Sequence, residues 1–505
     1  MKRAAVGAGT TVATTAGPVR GRLLDGVRSW RGIPFAEAPE GPLRYRAPAP
    51  VRPWARTRDA YEFGDAPPQN SGYIAFGRAR HPVSENCLSL NVSAPADPAG
   101  APRPVLVCFA GGGFTMGSPA TPLHAGDRFA RDAGVVYVSP NYRVGGLGFL
   151  DVTRYADDRH PFESNLGLRD QLAALAWIRD NIEAFGGDPN NVTVFGQSAG
   201  ATSVVTLMAV PAARGLFHRA YALSPFPGSV YARERHAGWA GDLMGILGVD
   251  SSHAAETLAT LSWPKLVDAM YRLTRRLGPA NDPGTLVCSP VVDGELLPTY
   301  PIDAFRDGTA HRVPLVIGTT VKEGALFRFM NLLPTTPARM ERMFERADPD
   351  ARTRVLGGYP TYPAGGALVD LAGDSVFWHP TTQVAEGHSR HAPVWNYRFD
   401  FETPMLRRIG LAGGHGTDVP ALFGHHDSDA GRFFTMTGGR DAAHSLGLRY
   451  RRALVSFAQT GAPGADWPLY EEHSRRVRIF DVRDRVVEDP WGERRLAWGG
   501  YRGYD

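Results

Sequence analysis

Short apolar runs alternate along the chain with segments that have helical periodicity. Five of these runs are rich in Val, Ile, Leu and aromatic residues, and they span 105–109, 135–138, 192–195, 315–317 and 394–399. Strands that are apolar on both faces and separated by helices are typical of a mostly parallel sheet covered on each side. The pattern therefore predicts an α/β protein.

Two helices are predicted around the run at 192–195. From Leu168 to Phe185 apolar residues recur at steps of three and four, and a glycine pair follows as a stop signal. After Ser198, small and then bulky apolar residues continue without proline, which predicts a buried helix that begins at the serine. Ser198 is therefore expected at a turn from strand to helix.

Composition narrows the possible functions. The 505 residues are 43% hydrophobic and 21% charged, which is typical of a folded globular protein, and we expect one domain over 1–505 with surface loops near 358–366 and 461–468. The net charge of +4 is spread without a basic cluster, so nucleic acid is not an expected partner. No stretch approaches the roughly 18 apolar residues of a membrane span.

The cysteines and the first residues bear on location and cofactors. Cys87, Cys108 and Cys288 cannot form a fully paired set of disulfides, which favours a reducing, cytoplasmic location. Two basic residues near the N-terminus are followed by a stretch of small residues that contains no leucine. Because a signal peptide needs an apolar segment there, the support for one is weak. Gly7 and Gly9 begin a dinucleotide fingerprint that lacks its third glycine and its strand. No cofactor and no metal is expected.

The stretch "FGQSAGA", residues 195–201, contains a Gly-x-Ser-x-Gly pentapeptide, which a chain with 58 glycines can also produce by chance. A serine hydroxyl is a weak nucleophile unless a neighbouring base removes its proton. On a sharp strand-to-helix turn the Ser198 oxygen would be exposed, with Gly196 and Gly200 leaving room for the bend. The N–H of Ala199 would then point toward negative charge developing beside the serine.

A second glycine cluster, "FAGGGFTMGS", follows the predicted strand that ends at Phe109. The backbone N–H groups of Gly112 and Gly113 are suited to join Ala199 in binding a tetrahedral oxyanion, a role that needs no side chain. Taken alone, the cluster is equally consistent with a flexible turn.

Several longer motifs carry a resemblance to a known family. "SENCLSLNV" (84–92), "NYRVGGLGFLD" (141–151), the block that ends in "VTVFGQSAG" (192–200) and "VVEDP" (486–490) are similar to the type-B carboxylesterase/lipase family, which contains cholinesterases and bacterial nitrobenzyl esterases. The similarity covers about residues 16 to 490. It implies an α/β-hydrolase fold, with a large central, mostly parallel sheet flanked by helices and with loop and helical insertions, and a Ser, Glu, His triad in that chain order.

The same resemblance places the other two triad members. The family's acid falls on Glu323 in "VKEGALF", and its base falls on His415 in "HGTDVP". His415 would take the Ser198 proton and later deliver it to the leaving alcohol, while Glu323 would fix the tautomer and stabilise the imidazolium. Without their motifs, Glu323 would be an ordinary surface carboxylate and His415 an ordinary loop histidine. His425 and His426 lack the motif position and are interpreted as loop residues.

Two charge pairs implied by the resemblance are interpreted as structural. The family pairs an arginine matching Arg44 with a glutamate matching Glu85, and an arginine matching Arg143 with an aspartate matching Asp170. Buried pairs of this kind fix loops in place and do no chemistry.

The chain departs from the family pattern at three positions. Ala110 stands where "HGGGF" has histidine, which leaves the donating amides but changes the wall beside them. Gln197 stands where glutamate is common, so one negative charge near the base is missing. Ala66 stands where Cys87 would have its disulfide partner, so that bridge cannot form.

The substrate pocket is expected to involve Phe114, Gln197, Leu326, Phe327 and Phe329, and Tyr73 and Phe76 would line its entrance, although most such residues in proteins are simply core. The segment between Ala66 and Cys87 has no tryptophan where cholinesterases bind a quaternary ammonium, so a choline ester is not the expected substrate.

The sequence thus predicts a serine carboxylesterase that hydrolyses a small-molecule ester through an acyl-enzyme on Ser198. Two alternatives stay open: a biosynthetic enzyme that uses the same site for acyl transfer or ring closure, and a non-catalytic recognition protein like the family's cell-adhesion members. Acyl and alcohol preference and oligomeric state are left open.

Overall fold

The computed structural model describes residues 10–70, 81–97, 100–330, 332–501 and 503. Its strands, numbered in chain order, are β1 Thr11–Ala13, β2 Pro18–Arg20, β3 Arg22–Leu24, β4 Val27–Pro34, β5 Arg58–Asp59, β6 Ser89–Pro95, β7 Arg103–Phe109, β8 Val136–Pro140, β9 Gly187–Gln197, β10 Arg219–Leu223, β11 Tyr231–Ala232, β12 Val291–Val292, β13 Leu315–Thr320, β14 Val394–Phe399, β15 Arg476–Phe480 and β16 Arg485–Glu488.

The main sheet has eleven strands in the order β16-β15-β14-β13-β10-β9-β7-β8-β6-β4-β3. From β15 to β8 every neighbouring pair is parallel, and the antiparallel pairs lie at the two edges. The five predicted strands are β7, β8, β9, β13 and β14, so the predicted α/β class and mostly parallel sheet are confirmed. Because parallel strands point the same way, the residues that follow β7, β9, β10 and β13 emerge at one edge of the sheet.

The α-helices, also in chain order, are α1 Asp127–Ala133, α2 Leu166–Asn181, α3 Ala199–Met208, α4 Arg233–Leu247, α5 Ala254–Thr260, α6 Trp263–Arg272, α7 Gly278–Asn281, α8 Pro301–Arg306, α9 Gly324–Phe327, α10 Pro337–Ala347, α11 Ala351–Gly357, α12 Gly365–Gly373, α13 His379–Ser389, α14 Pro404–Arg408, α15 Val419–Phe423, α16 Asp429–Thr435, α17 Arg440–Thr460 and α18 Gly492–Trp498. Two π-helical segments, Leu273–Leu277 and Asp374–Trp378, follow α6 and precede α13.

Three local predictions need adjustment. The helix predicted over 168–185 is α2 followed by a separate 3₁₀ turn, Ile182–Phe185, which ends at Gly186 in a left-handed conformation. The loop predicted at 358–366 ends where α12 begins. His425 and His426 lie in a short 3₁₀ turn, and the His425 ring bonds to the Leu123 carbonyl at 3.1 Å.

The sheet is buried on both faces. Along β7, Val105, Val107 and Phe109 face one core, which also contains residues of α2 and α3. Leu106 and Cys108 face a second core, which includes residues of α1 and α17. Strands with apolar side chains on both faces explain the continuous apolar runs in the sequence.

Both predicted charge pairs are present and confirmed. Arg44 makes a bidentate contact with Glu85 and also donates to the Leu261 carbonyl at 2.7 Å. Arg143 contacts the two oxygens of Asp170 at 2.8 and 2.7 Å, and both side chains are almost fully buried. The first pair joins two loops, and the second holds the segment after β8 against α2.

Replacing Asp170 with asparagine is expected to lower the free energy of unfolding by about 3 to 5 kcal/mol, because it leaves the buried Arg143 charge without a counter-charge. A urea unfolding curve measures the change. Asp180→Asn is the matched control on the same helix, where the pair with Arg179 is exposed and is worth less than about 1 kcal/mol. Equal losses in the two variants would contradict a special role for the buried pair.

The three cysteines are buried free thiols, which agrees with the absence of a disulfide partner at Ala66. Burial raises the pKa of the Cys108 and Cys288 thiols to about 12. Over the described ranges, no helix has the length and apolar character needed to cross a membrane.

Candidate active site

Ser198 lies at the turn between β9 and α3, where the sequence pattern placed it. Its φ of +59° and ψ of −124° are strained for a residue with a side chain, and its N–H donates to the Leu223 carbonyl of β10 at 2.9 Å. A Cβ on Gly200 would lie 2.0 Å from the Phe109 carbonyl oxygen, and one on Gly196 would lie 2.5 Å from Gly200. The two glycines therefore allow the tight turn that presents the serine above the sheet.

The glycine-rich loop after β7 runs against this turn. A Cβ on Gly111 would lie 3.3 Å from the Ser198 Cβ, which shows how closely the two segments approach. Gly112 and Gly113 both have positive φ, +139° and +60°. Among the described residues neither of their N–H groups has an acceptor. Ala199 is the first residue of α3, so its N–H has no partner within the helix.

Two contacts anchor the loop. The ring of Phe114 is fully buried and lies 4.3 Å from that of Phe149 and 5.6 Å from that of Phe226. The Tyr142 hydroxyl donates to the carbonyl of Ala110. Phe114 therefore supports the loop from below and has no exposed surface to offer a substrate, which corrects its assignment to the pocket.

Glu323 and His415 form a short hydrogen bond. Glu323 follows β13 and is 3% exposed. One of its carboxylate oxygens accepts from the Thr320 N–H at 2.6 Å, and the other lies 2.5 Å from the His415 Nδ1. Since a carboxylate is only an acceptor, His415 carries its proton on Nδ1 in the neutral form and leaves a lone pair on Nε2.

The loop that carries His415 is fixed to the loop that carries Glu323. The Lys322 N–H donates to the Gly413 carbonyl at 2.8 Å, and Lys322 pairs with Gly414 as a parallel bridge. His415 is 8% exposed, and its imidazole packs against two aromatic rings, 4.5 Å from that of Phe377 and 5.1 Å from that of Phe327. This packing limits the ring to a narrow range of orientations.

The Nε2 atom of His415 is engaged by Gln197, the residue before the serine. The Gln197 side-chain nitrogen lies 3.0 Å from it, and the amide must be the donor because Nε2 carries the lone pair. Within the part of the chain that is described, no hydrogen bond joins the Ser198 hydroxyl to this nitrogen. Glu323 and His415 are thus in direct contact, and His415 is bonded to the residue that precedes Ser198.

Two residues of the site carry no role in the sequence prediction. Asp418 is fully buried, and burial together with the charge of Glu323 raises its pKa to about 6. It lies three residues after His415 within "HGTD", so the motif held a signal for it. Phe377 lies in the π-helical segment 374–378, and no pattern in the sequence connects that segment with His415.

The apolar residues after Glu323 have different surroundings. Phe327 contacts His415 and stacks on Phe377 at 5.4 Å, whereas Leu326 is half-buried. Phe329 is 62% exposed, and the guanidinium of Arg328 lies over its ring, so it does not line the interior of a pocket. Tyr73 and Phe76 lie outside the described residues.

A cavity of about 530 Å³, part of it open to solvent, lies beside the glycine-rich loop. Thr115 and Met116 of that loop line one side, and Leu266 and Met270 of α6 line another. The predicted pocket residues do not line it. No pattern in the sequence pointed to α6, since its apolar residues are those of an ordinary amphipathic helix.

The sheet order and the strand–serine–helix turn define an α/β-hydrolase. The chain belongs to the carboxylesterase family, whose model matches residues 8–355 and 362–491. It is 34% identical over 496 residues to the para-nitrobenzyl esterase of Bacillus subtilis (strain 168), covering 96% of this chain and 97% of the relative. It is 33% identical over 500 residues to the phenmedipham hydrolase of Pseudarthrobacter oxydans, covering 94% and 96% of the two chains.

A solved structure of a PNB esterase superimposes with a TM-score of 0.88 at 33% identity, covering 97% of this chain and 99% of the other. The fold and the family predicted from the motifs are therefore confirmed.

Proposed function

We propose that the chain is a serine carboxylesterase that hydrolyses small-molecule carboxylic esters through an acyl-enzyme on Ser198. The observation that carries the proposal is the 2.5 Å bond from Glu323 to His415, set beside the strained serine turn. It combines an oriented base with a nucleophile on a helix N-terminus.

In the proposed acylation step, the Ser198 oxygen attacks the ester carbonyl and its proton moves to the His415 Nε2. The Gln197 amide must leave Nε2 before this transfer, because that nitrogen has a single lone pair. The N–H groups of Gly112, Gly113 and Ala199 donate hydrogen bonds to the former carbonyl oxygen and so stabilise its negative charge. The protonated His415, held by Glu323, then gives its proton to the leaving alcohol.

Water completes the cycle by the same steps. His415 takes a proton from the water that attacks the acyl group and returns it to the Ser198 oxygen, which releases the carboxylic acid. We assign the cavity beside Thr115 and Met116 to the substrate because it opens next to the proposed oxyanion donors. Phe327 and Gln197 contribute to catalysis by orienting the His415 imidazole, which both of them contact.

Rapid mixing with p-nitrophenyl acetate tests the proposal. We expect a burst of p-nitrophenol of about one equivalent per enzyme, because acylation by this activated ester releases the alcohol faster than water removes the acyl group, so the acyl-enzyme accumulates. Digestion of acid-quenched enzyme should place the acetyl group on the peptide that contains Ser198. An acetyl group on another residue, or capture of the acyl group by an added alcohol to the exclusion of water, would contradict a hydrolase acting through Ser198.

We further propose one domain over residues 1–505, a cytoplasmic location and no nucleic-acid partner. The single domain is supported by the main sheet, whose strands come from both ends of the described chain, Arg22–Leu24 and Arg485–Glu488. The location is supported by the three free thiols.

Replacing Gln197 with glutamate is expected to move the acid limb of the kcat/KM–pH profile upward by on the order of one pH unit. A carboxylate 3.0 Å from Nε2 would favour the protonated imidazole, so a higher pH is needed to free the base. A pH series with p-nitrophenyl acetate measures the shift. Gln459→Glu is the control, since it adds the same charge at an exposed position. A profile that moves equally in both variants would rule out a local effect.

A further inference from the structure

Two arginines from different helices meet at the C-terminal end of α15. Arg128 lies on α1 and Arg451 on α17, and α15 ends at Gly424, which has a left-handed conformation with a φ of +72°. A Cβ on Gly424 would lie 2.3 Å from the Arg451 Nη2 and 3.2 Å from the Arg128 Nη1. Both guanidinium groups therefore border the small space that this glycine leaves open.

The terminal nitrogens of both side chains lack a hydrogen-bond partner and can still be reached. Arg451 is 8% exposed, and its guanidinium makes one hydrogen bond within the described structure, from Nε to the Leu422 carbonyl at 3.1 Å. Arg128 is half-buried and makes no hydrogen bond or ion pair with a described residue. None of these nitrogens is among the fully enclosed polar atoms, so each keeps surface that a ligand can contact.

These arginines outnumber the carboxylates that contact them. Among the described residues, the carboxylate that contacts Arg451 is that of Asp132, at 3.8 Å, and it also pairs with Arg131 at 3.0 Å. Burial and the charge of Arg128 lower the pKa of Arg451. One carboxylate thus serves three arginines, and two positive charges are left uncompensated.

Other titratable groups nearby do not remove this imbalance. Asp427, on the turn after α15, pairs with Arg440 at 2.6 Å. Burial lowers the pKa of His425 and lowers that of His426 to about 4, so both imidazoles are neutral near pH 7. Outside the described ranges the sequence is basic on balance and holds one acidic side chain, that of Asp505. The excess positive charge at Arg128 and Arg451 therefore calls for an external anion.

We propose that Arg128 and Arg451 bind a dianionic phosphate group, either inorganic phosphate or a phosphate monoester. Guanidinium groups bind phosphate oxygens through paired N–H donors. A phosphate group carries close to two negative charges near pH 7, which matches the two uncompensated positive charges, whereas a carboxylate matches one. Its oxygens would accept hydrogen bonds from Nη1 and Nη2 of Arg451 and from the guanidinium of Arg128.

The proposed phosphate site is separate from the candidate active site. Phe129 of α1 and Leu454 of α17 pack in one core, whereas Val204 of α3, the helix that begins after Ser198, packs in the core on the other face of the sheet. The site does not depend on the proposed esterase activity. A bound phosphate would join α1 to α17 at the end of α15 and is expected to stabilise the folded protein.

Calorimetric titration of the native protein at pH 8, in a phosphate-free buffer of constant ionic strength, tests the ligand class. We expect saturable binding of inorganic phosphate, with acetate weaker by about tenfold or more because it brings one charge and two oxygens. Phenyl phosphate separates the two sources: equal binding supports a site that accepts monoesters, and binding of inorganic phosphate alone supports a site for the free ion. No saturable binding of either phosphate, or equally tight binding of acetate, would overturn the proposal.

Variants then locate the binding. Arg128→Gln should weaken phosphate binding by about tenfold, the loss expected for a hydrogen bond between charged groups. Arg452→Gln is the matched control, because it removes the same charge at an exposed position of α17 and should change binding by less than about twofold. Unchanged phosphate binding in Arg128→Gln, or equal weakening in both variants, overturns the proposal.

Thermal unfolding followed by circular dichroism gives a second readout. In phosphate-free buffer the Tm of Arg128→Gln should be no lower than that of the native protein, because Arg128 has no partner among the described residues and its removal relieves repulsion with Arg451. Added phosphate should raise the Tm of the native protein and of Arg452→Gln more than that of Arg128→Gln. A Tm of Arg128→Gln well below the native value without phosphate would give Arg128 a structural role in the free protein and contradict the proposal.

Discussion

Replacing Ser198 with alanine is expected to lower kcat for p-nitrophenyl acetate by about 10⁵- to 10⁶-fold. That loss corresponds to about 7 to 8 kcal/mol of transition-state stabilisation. The reason is that the acyl-enzyme cannot form without the hydroxyl, while the proposed oxyanion donors Gly112, Gly113 and Ala199 still bind the ester. Steady-state assays with purified variant and native protein measure the ratio.

The control for this variant is Ser203→Ala, five residues further along the chain. Ser203 is also buried, and its hydroxyl accepts a hydrogen bond from Gln171 at 2.9 Å rather than facing the candidate site. We expect its activity to stay within about threefold of the native protein, with a stability cost of about 1 kcal/mol. If Ser198→Ala keeps more than a hundredth of the native kcat while its circular dichroism is unchanged, the nucleophile is another residue.

The strands and the serine turn could be predicted because their signals are local. Neighbouring residues of the runs at 105–109 and 192–195 pack into the two different cores, and a short apolar run bounded by turn signals is typical of a buried parallel strand. Gly196 and Gly200 are required within the turn itself, since a Cβ at either position would meet backbone atoms. Glu323 and His415 were found through family motifs, because no periodicity connects residues 92 positions apart.

The environment of the base could not be predicted in the same way. The bond from Gln197 to His415 depends on how two distant loops meet, although the sequence already showed that Gln197 replaces the family's common glutamate. Phe377 reaches His415 from a π-helical segment, whose register no sequence pattern specifies. Phe329 was assigned to the pocket for its apolar character, yet α9 is short and turns that side chain toward solvent. Side-chain direction after a short helix is decided by tertiary contacts.

Replacing Glu323 with glutamine is expected to lower kcat by about 10⁴-fold. The Thr320 N–H donates to one oxygen of Glu323 at 2.6 Å, so a glutamine would place its own oxygen there and turn its NH₂ toward His415 Nδ1. The neutral imidazole would then have to carry its proton on Nε2, where it cannot accept the Ser198 proton. The Gln197 amide, which donates to Nε2 in the native protein, would also have to rotate so that its oxygen faces the Nε2 proton. Steady-state kinetics measure the loss.

Two further variants separate orientation from charge. Glu323→Asp keeps the carboxylate but withdraws it from His415 by one methylene. We expect its kcat to be at least tenfold higher than that of Glu323→Gln, because an acceptor still faces Nδ1. Glu345→Gln removes an exposed carboxylate and should leave kcat within about twofold. If Glu323→Gln and Glu323→Asp lose activity equally, the position of the carboxylate would matter more than its acceptor character. If Glu323→Gln loses less than tenfold, the tautomer of His415 is set by some other group, and the 2.5 Å bond would have only a structural role.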